Sequence, residues 1–212
     1  MGKIASDMSM SLDGFIAGPN DGIERPLGDG GERLHDWVYG LASWRERHGL
    51  AGGQTNRDAE VLEESFKTTG AVVMGRPMFN LGEGYWGDNP PFHMPLFVLT
   101  HQAREKVVKE GGTKFAFVTD GIESALQQAT AAAGDKDVSL AGGANMVQQY
   151  LSAGLLDEIQ IHLVPVLLSE GRSLFDPIGT EHVELERTRV IESPGVTHLR
   201  FRVVKVKRFE RK

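Results

Sequence analysis

Short apolar runs that alternate with helical segments constrain the fold of this chain more than any other feature. Strands are indicated by the runs at 71–74, 96–100, 115–119, 137–141 and 159–164. Helical spacing of apolar residues is found at 58–69, at 121–133 and from about 144 to Gly154. Because strands joined through helices run parallel, the pattern predicts an α/β fold with a mostly parallel sheet flanked by helices.

The two ends of the chain add further strands to this sheet. Residues 4–10 have the pattern of a strand, and the tail predicts two long strands, 183–191 and 196–206, joined through the turn-forming pair Pro194-Gly195. Strands joined by so short a turn are antiparallel, so the sheet should be mixed. The 212 residues require one core, which predicts a single domain over 1–212 with a loop-rich insertion at about 19–55.

Charge and composition narrow the classes of partner. The chain has 29 acidic and 23 basic residues, and the net charge of −6 argues against nucleic acid or an anionic membrane as a partner. Cysteine is absent from the sequence, which excludes disulfides and thiolate chemistry. The N-terminus has no signal-peptide pattern and no apolar run approaches membrane-spanning length. We therefore expect a cytoplasmic protein with a small-molecule partner.

Two strand-to-helix junctions carry the residues of an anion site. Gly142 and Gly143 stand between strand 137–141 and the next helix, where unpaired N–H groups and the positive end of the helix dipole favour a phosphate. At the end of strand 71–74, Gly75 is followed by Arg76, whose guanidinium binds phosphate oxygens, and by Pro77 at a favoured first helical position. Together the two junctions predict a dinucleotide site, although each alone is also typical of a tight turn.

Five motifs in order resemble the dihydrofolate-reductase-like superfamily. They are A-S-D-M-S-M-S-L-D-G-F-I-A-G, V-V-M-G-R-P-M-F, L-F-V-L-T-H, V-S-L-A-G-G-A-N-M-V-Q-Q-Y-L and G-L-L-D-E-I-Q-I-H-L-V-P-V-L-L-S-E-G-R-S-L-F. The branch that the chain resembles is the one related to the C-terminal reductase domain of the bifunctional riboflavin-biosynthesis deaminase/reductase. The resemblance covers most of the chain, with 19–55 as an unaligned insertion.

The resemblance implies an NADPH-dependent reductase that passes hydride to a small, heterocyclic, pterin- or pyrimidine-like substrate, and at the level of the family a homodimer. The positions that match the cofactor site of the family are Ile16, Gly75, Arg76, Pro77, Met78, Thr100, His101, Gly142, Gly143, Ala144, Asn145 and Met146. Among them, Thr100 and His101 match the contacts to the 2′-phosphate, and Arg104 close by is a further cationic donor. A solvated loop is the alternative for His101 and Arg104.

The candidates for catalysis lie on the helix before the M-G-R motif and on strand 159–164. Dihydrofolate reductases carry a carboxylate on the helix before the M-G-R motif, but the matching position here is Ala59. Glu63 on the same predicted helix and His162 on strand 159–164 are the candidates for catalysis, against a solvated helix face and a space-filling histidine as the alternatives. His93 and His101 have no companions at metal-ligand spacing, so no metal site is predicted.

Two other classes of function stay open at this stage. The first is a nucleotide-binding module without catalysis, which the missing helix carboxylate would suit. The second is an interaction protein, in which Trp37, Trp44 and the inserted loop form a face for a partner or a second copy.

Overall fold

A mixed sheet forms the centre of the computed structural model, which describes residues 2–176 and 182–204. In these residues nine strands pair in the order β10-β11-β8-β1-β7-β3-β4-β6-β5, and β2 and β9 form a separate pair. The strands are β1 Ile4–Ser11, β2 Phe15–Ala17, β3 Thr69–Gly75, β4 Pro95–Leu99, β5 Val107–Val108, β6 Lys114–Val118, β7 Asp137–Ala141, β8 Glu158–Val164, β9 Arg172–Ser173, β10 Glu184–Ser193 and β11 Val196–Val204.

The directions of the strands confirm the predicted mixed sheet. Strand β1 is parallel to both β7 and β8, and β3 is parallel to β7 and β4, as expected for strands joined through helices. The C-terminal hairpin of β10 and β11 is antiparallel and joins the sheet through β8. The predicted last strand extended to 206, but residues 205 and 206 lie outside the described part of the chain.

Helices cover both faces of the sheet. They are α1 Asp36–Tyr39, α2 Ala42–Arg47, α3 Arg57–Thr68, α4 Arg76–Glu83, α5 Ile122–Ala133 and α6 Ala144–Ser152, with short 3₁₀ segments at Gly31–His35 and Glu110–Gly112. Helix α3 begins where the side chain of Asn56 accepts a hydrogen bond of 3.0 Å from the backbone N–H of Ala59. The positions of α3, α5 and α6 agree with the predicted helical segments to within one or two residues.

Alternation along β3 divides the core into two layers. Ala71 and Val73 pack with buried residues of α5 and α6, whereas Val72 and Met74 pack with Phe79 of α4 on the opposite face. Successive side chains of a strand point to opposite faces, so an apolar run in β3 supplies both layers at once. The sheet is therefore buried on both sides along its parallel strands.

The inserted region is folded against the sheet and α3. Trp37, Val38 and Leu41 pack on Ala59 of α3, and a single backbone bridge joins Leu41 to Gln54. Strand β2, which precedes the insertion, pairs with β9 far along the chain. In the part of the chain that the structure describes, no helix is long and apolar enough to cross a membrane.

Candidate active site

A cleft of about 670 Å³ opens where β1 and β7 end. It is bounded by the turn after β7, the first turns of α4 and α6, and the loop after β2. Seven residues predicted to bind the cofactor line it: Ile16, Pro77, Met78, Gly142, Gly143, Ala144 and Asn145. The structure thus brings together residues from three separate motifs of the sequence.

The glycine pair shapes one wall of the cleft. Gly142 and Gly143 have φ of +68° and +75°, a left-handed conformation that side chains other than glycine adopt at a cost. A Cβ atom on Gly142 would lie 1.8 Å from Sδ of Met78, whereas one on Gly143 would meet open space. Helix α6 then begins at Ala144 without a side-chain cap, so its first N–H groups are available to an anion.

Two arginines lie beside the same pair of aromatic rings near the ends of β3 and β6. The guanidinium carbon of Arg76 is 5.7 Å from the ring centres of Phe79 and Phe117, and that of Arg104 is 5.3 and 5.2 Å from the same rings. Arg104 also donates a hydrogen bond of 3.1 Å to Glu83, which lowers the pKa of that carboxyl. The pair of guanidiniums gives this part of the site its positive charge.

The remaining predicted cofactor residues lie around the cleft and outside its lining. Gly75 and Met146 are both buried and lie close to each other. A Cβ on Gly75 would lie 3.3 Å from Cγ of Met146. Thr100 is buried after β4, where its hydroxyl accepts a hydrogen bond of 3.1 Å from the backbone N–H of Gln102. His101, which follows it, is exposed.

Polar side chains occupy one face of three neighbouring strands on the other side of the cleft. Strand pairing places Gln160 beside both Asp7 and Arg200, and His162 beside both Ser9 and His198. Since residues two apart along a strand share a face, these positions form two polar rows across β1, β8 and β11. The rows consist of Asp7, Gln160 and Arg200 in the first and of Ser9, His162 and His198 in the second.

Four side chains of this region form a continuous chain of polar contacts. Nε2 of His162 contacts Oδ1 of Asp7, and Nδ1 of His162 lies 2.6 Å from Nδ1 of His198. Nε2 of His198 then lies 2.9 Å from Oδ1 of Asp58 on α3. Both imidazoles are buried, whereas the Asp7 side chain is 27% exposed and lines the cleft.

Hydrogen bonds hold the Asp7 carboxylate in its ionised form. Its Oδ2 accepts from the Ser65 hydroxyl at 2.9 Å and from the Gln160 amide at 3.0 Å. Burial raises the pKa of Asp7, but the charge and hydrogen bond of His162, the Ser65 hydroxyl and the charge of Arg200 lower it, so that the pKa lies below its usual range. The cleft therefore presents a carboxylate that accepts hydrogen bonds from a ligand.

The inserted region encloses the two histidines. The Trp37 ring centre lies 4.6 Å from that of His162 and 5.1 Å from that of His198, and its indole N–H donates to the Ser9 hydroxyl at 3.1 Å. Burial lowers the pKa of His198, an effect that the hydrogen bond to Asp58 opposes and the charge of His162 strengthens. Burial also lowers the pKa of His35, a cleft residue from the same insertion.

The two predicted catalytic residues lie in different environments. His162 is part of the polar rows behind the cleft, in contact with Asp7. Glu63 lies on α3 with its side chain 46% exposed, where it accepts a hydrogen bond of 3.1 Å from Lys67. Ala59, at the position of the helix carboxylate, is buried under the insertion. Two carboxylates line the cleft instead, namely Asp7 on β1 and Asp21 in the insertion, and Asp21 pairs with Arg172.

Sequence reasoning did not single out Asp7, although a signal for it exists. A charged residue in the middle of a strand that must be buried needs polar partners. The polar alternations Asp7 and Ser9 in β1, Gln160 and His162 in β8, and His198 and Arg200 in β11 have the same spacing of two. Their mutual register, which joins distant parts of the chain, is supplied by the fold.

Comparison with known proteins agrees with this architecture. A sequence profile described as the RibD C-terminal domain matches residues 2–199. The chain belongs to this family. A curated relative, the uncharacterized protein YyaP of Bacillus subtilis (strain 168), is 24% identical over 204 residues, which are 93% of each chain. The predicted relation to the reductase domain of the riboflavin pathway is thereby confirmed at the level of the family.

Solved structures similar to this RibD-family chain have the same fold. A putative riboflavin biosynthesis protein from Shewanella sp. PV-4 has a TM-score of 0.66 at 19% identity, covering 96% of this chain and 99% of that one. The diaminohydroxyphosphoribosylaminopyrimidine deaminase/5-amino-6-(5-phosphoribosylamino)uracil reductase of Thermotoga maritima has a TM-score of 0.59 at 14% identity, covering 96% of this chain and 57% of that one.

A dihydrofolate reductase is also among the similar structures. The enzyme from Enterococcus faecalis, in complex with NADP(H) and RAB-propyl, has a TM-score of 0.51 at 16% identity, covering 96% of this chain and 98% of that one. The likeness confirms the predicted dihydrofolate-reductase-like fold.

Proposed function

We propose that this protein is an NADPH-dependent reductase of a small, pyrimidine- or pterin-like heterocycle. The observation that carries the proposal is a single cleft with two unlike walls. One wall is made by the glycine turn and the first turns of α4 and α6, and the other by the Asp7 carboxylate with His162 behind it. A site of this kind can hold a dinucleotide against a polar heterocycle.

The first wall fits a dinucleotide phosphate. Left-handed Gly143 leaves open the space that a Cβ would fill, and the uncapped start of α6 offers N–H groups at the positive end of its dipole. Gly142, Gly143, Ala144 and Asn145 would hold the pyrophosphate on one side, and Arg76 on the other. Thr100, His101 and Arg104 would bind the 2′-phosphate. When bound, NADPH supplies the hydride.

The second wall fits a heterocycle with N–H groups on one edge. Asp7 is ionised and has an exposed fraction that faces the cleft, so it accepts hydrogen bonds from ring N–H or amino groups. Leu27, Leu81 and Trp86 supply apolar surface elsewhere in the cleft. An aromatic ring with a polar edge satisfies both kinds of surface.

The similar proteins support a heterocyclic substrate and a nicotinamide cofactor. The Thermotoga protein carries a uracil reductase in its name, and the Enterococcus enzyme is a dihydrofolate reductase in complex with NADP(H). Both proteins share the fold of this chain, whose cleft has residues suited to each ligand. We also propose that residues 1–212 form a single domain.

Oxidation of NADPH by the purified protein tests the proposal. The reaction is followed by nicotinamide absorbance with a panel of dihydropterins, quinazolines, aminouracils and aminopyrimidinones, and with aliphatic ketones as a control class. We expect oxidation with at least one of the nitrogen heterocycles, and its loss in Asp7→Asn but not in Glu60→Gln, which alters an exposed carboxylate on α3. Oxidation of NADPH with ketones alone would contradict the proposed site. A loss of NADPH oxidation in Glu63→Gln but not in Asp7→Asn would also contradict it.

A further inference from the structure

The contacts from Asp7 to Asp58 require more protons than two neutral imidazoles carry. The chain has three links, namely Asp7 to His162, His162 to His198 and His198 to Asp58. Each link joins two atoms with lone pairs, and two such atoms approach to hydrogen-bond distance only with a proton between them. Two neutral imidazoles supply two protons, so the third link contains an additional one.

We propose that Asp7, His162, His198 and Asp58 form a buried proton relay that stores this additional proton and delivers it through Asp7 to a substrate in the cleft. The proposal rests on the reductase function proposed above and names its proton source. Asp7 is the group that touches the substrate, whereas His198 and Asp58 act through His162 as positioning residues.

The position of each group gives the relay its direction. Asp7 lines the cleft, whereas Asp58 is buried at the first turn of α3, with 12% of its side chain exposed. A shared imidazolium between two carboxylates leaves the four groups with a net charge of −1, which is easier to bury than two unpaired carboxylates. Burial and the charge of His162 lower the pKa of His198, which disfavours the additional proton at the end of the relay that is far from Asp7.

The proposed step balances in atoms and electrons. Reduction of a C=N bond adds a hydride to carbon and a proton to nitrogen, and the two electrons come from the reduced nicotinamide, which is oxidised. The nitrogen takes its proton from the Asp7 carboxyl, which receives one from Nε2 of His162. The proton shared by the two Nδ1 atoms then rests on Nδ1 of His162. Both imidazoles end neutral, and solvent returns one proton to the chain.

Other polar and charged groups face the relay from each element packed on it. Ser65 on α3 and Gln160 on β8 donate to Asp7, and Trp37 covers the rings. The titratable or charged groups nearby are His35 from the insertion, Glu64 on α3, Glu158 on β8, Arg189 on β10 and Arg200 on β11. Glu64 pairs with Arg189 and Arg200, so the groups that lie around the relay are largely compensated among themselves.

Proton counting by NMR tests the stored proton without any ligand. In protein labelled with ¹⁵N-histidine, we expect three exchange-protected N–H signals from His162 and His198 near neutral pH, with the two Nδ1 atoms sharing one of them. Asp58→Asn, which removes one carboxylate, should release the additional proton and leave two signals. His48→Gln, a change at an exposed histidine, should leave all three. Two signals in the unaltered protein would overturn the relay.

The pH profile of turnover tests delivery to the substrate. In His198→Gln the proton must come from solvent. We therefore expect turnover to fall about 10-fold at about pH 8, which is part of the usual contribution of a general acid. At about pH 6 the fall should be less than about 2-fold. Three N–H signals in the unaltered protein, together with an unchanged pH profile of turnover in His198→Gln, would overturn the delivery of the proton to the substrate. Three signals in a protein that binds no NADPH would instead contradict the proposed function and leave the stored proton established.

Discussion

The two walls of the cleft are built by different means. The wall at β7, α4 and α6 consists largely of backbone, and at most two residues separate each of its helices from the preceding strand. The wall at β1, β8 and β11 consists of side chains from distant parts of the sequence. Asp7 and Gln160, for example, are more than 150 residues apart. Local sequence therefore encodes each part of the first wall, whereas only the assembled sheet creates the second.

The largest expected effect comes from breaking the side-chain wall at Asp7. Asp7→Asn keeps the shape of the side chain but removes the charge that partners His162 and the acceptor for a substrate N–H. We expect turnover to fall by about 100-fold or more, since this is the usual contribution of a positioned acid or base. The affinity for NADPH should change by less than about 2-fold. Equal losses in both quantities would show that the two walls are not separable.

A second change breaks the backbone wall alone. Gly142→Val forces a branched side chain into left-handed backbone and into the space of Met78, and left-handed strain costs about 1–2 kcal/mol by itself. We expect the Kd for NADPH to rise by about 10-fold or more in a titration. Gly154→Ala is the matched control, because Gly154 has a φ of +69° and open space but follows α6 away from the cleft. Similar Kd changes in both variants would assign the effect to general strain.

Acidification provides a smaller and graded effect, concentrated in the side-chain wall. His35 and His198 have lowered pKa values, so the unfolded chain binds their protons first, and stability should fall as pH drops below about 6.5. The pKa of Asp7 is also lowered, so its contribution is present above about pH 3.9 and is lost as pH falls through its folded value.

Urea unfolding at several pH values between about 6.5 and 4 measures this dependence. The free energy of unfolding should decrease toward acid, and His198→Gln should flatten the decrease near pH 6 whereas His48→Gln should not. An increase in stability toward acid over this range would contradict the lowered pKa values of His35 and His198.

The sequence predicts most of the fold because its signals are local. Strands β3, β4, β6, β7 and β8 are apolar runs beside helices, and the Pro194-Gly195 turn determines the antiparallel hairpin. The glycine wall follows from the same local pattern. The insertion was predicted as a loop-rich segment, and its short helices α1 and α2 derive their stability from packing on α3.

Of the side-chain wall, only His162 was predicted as a candidate from the sequence. Asp7, His162 and His198 become neighbours only through the register of β1, β8 and β11, which depends on long-range pairing. The absence of a carboxylate at Ala59 directed attention to the nearest acids on the same helix, among them Glu63. In the structure, Asp7 of strand β1 lines the cleft and accepts a hydrogen bond from Ser65 of α3.

A titration of the purified protein with NADPH and, in parallel, with NADH tests the central claim most directly. Trp86 lines the cleft, so its fluorescence should be quenched by a bound nicotinamide. We expect NADPH to bind about 10-fold or more tightly than NADH, since a charge-assisted hydrogen bond to the 2′-phosphate is worth about 1.5–3 kcal/mol. Arg104→Met should reduce the ratio of the two Kd values. Failure to bind either nucleotide would contradict the reductase account and favour a face for a protein partner.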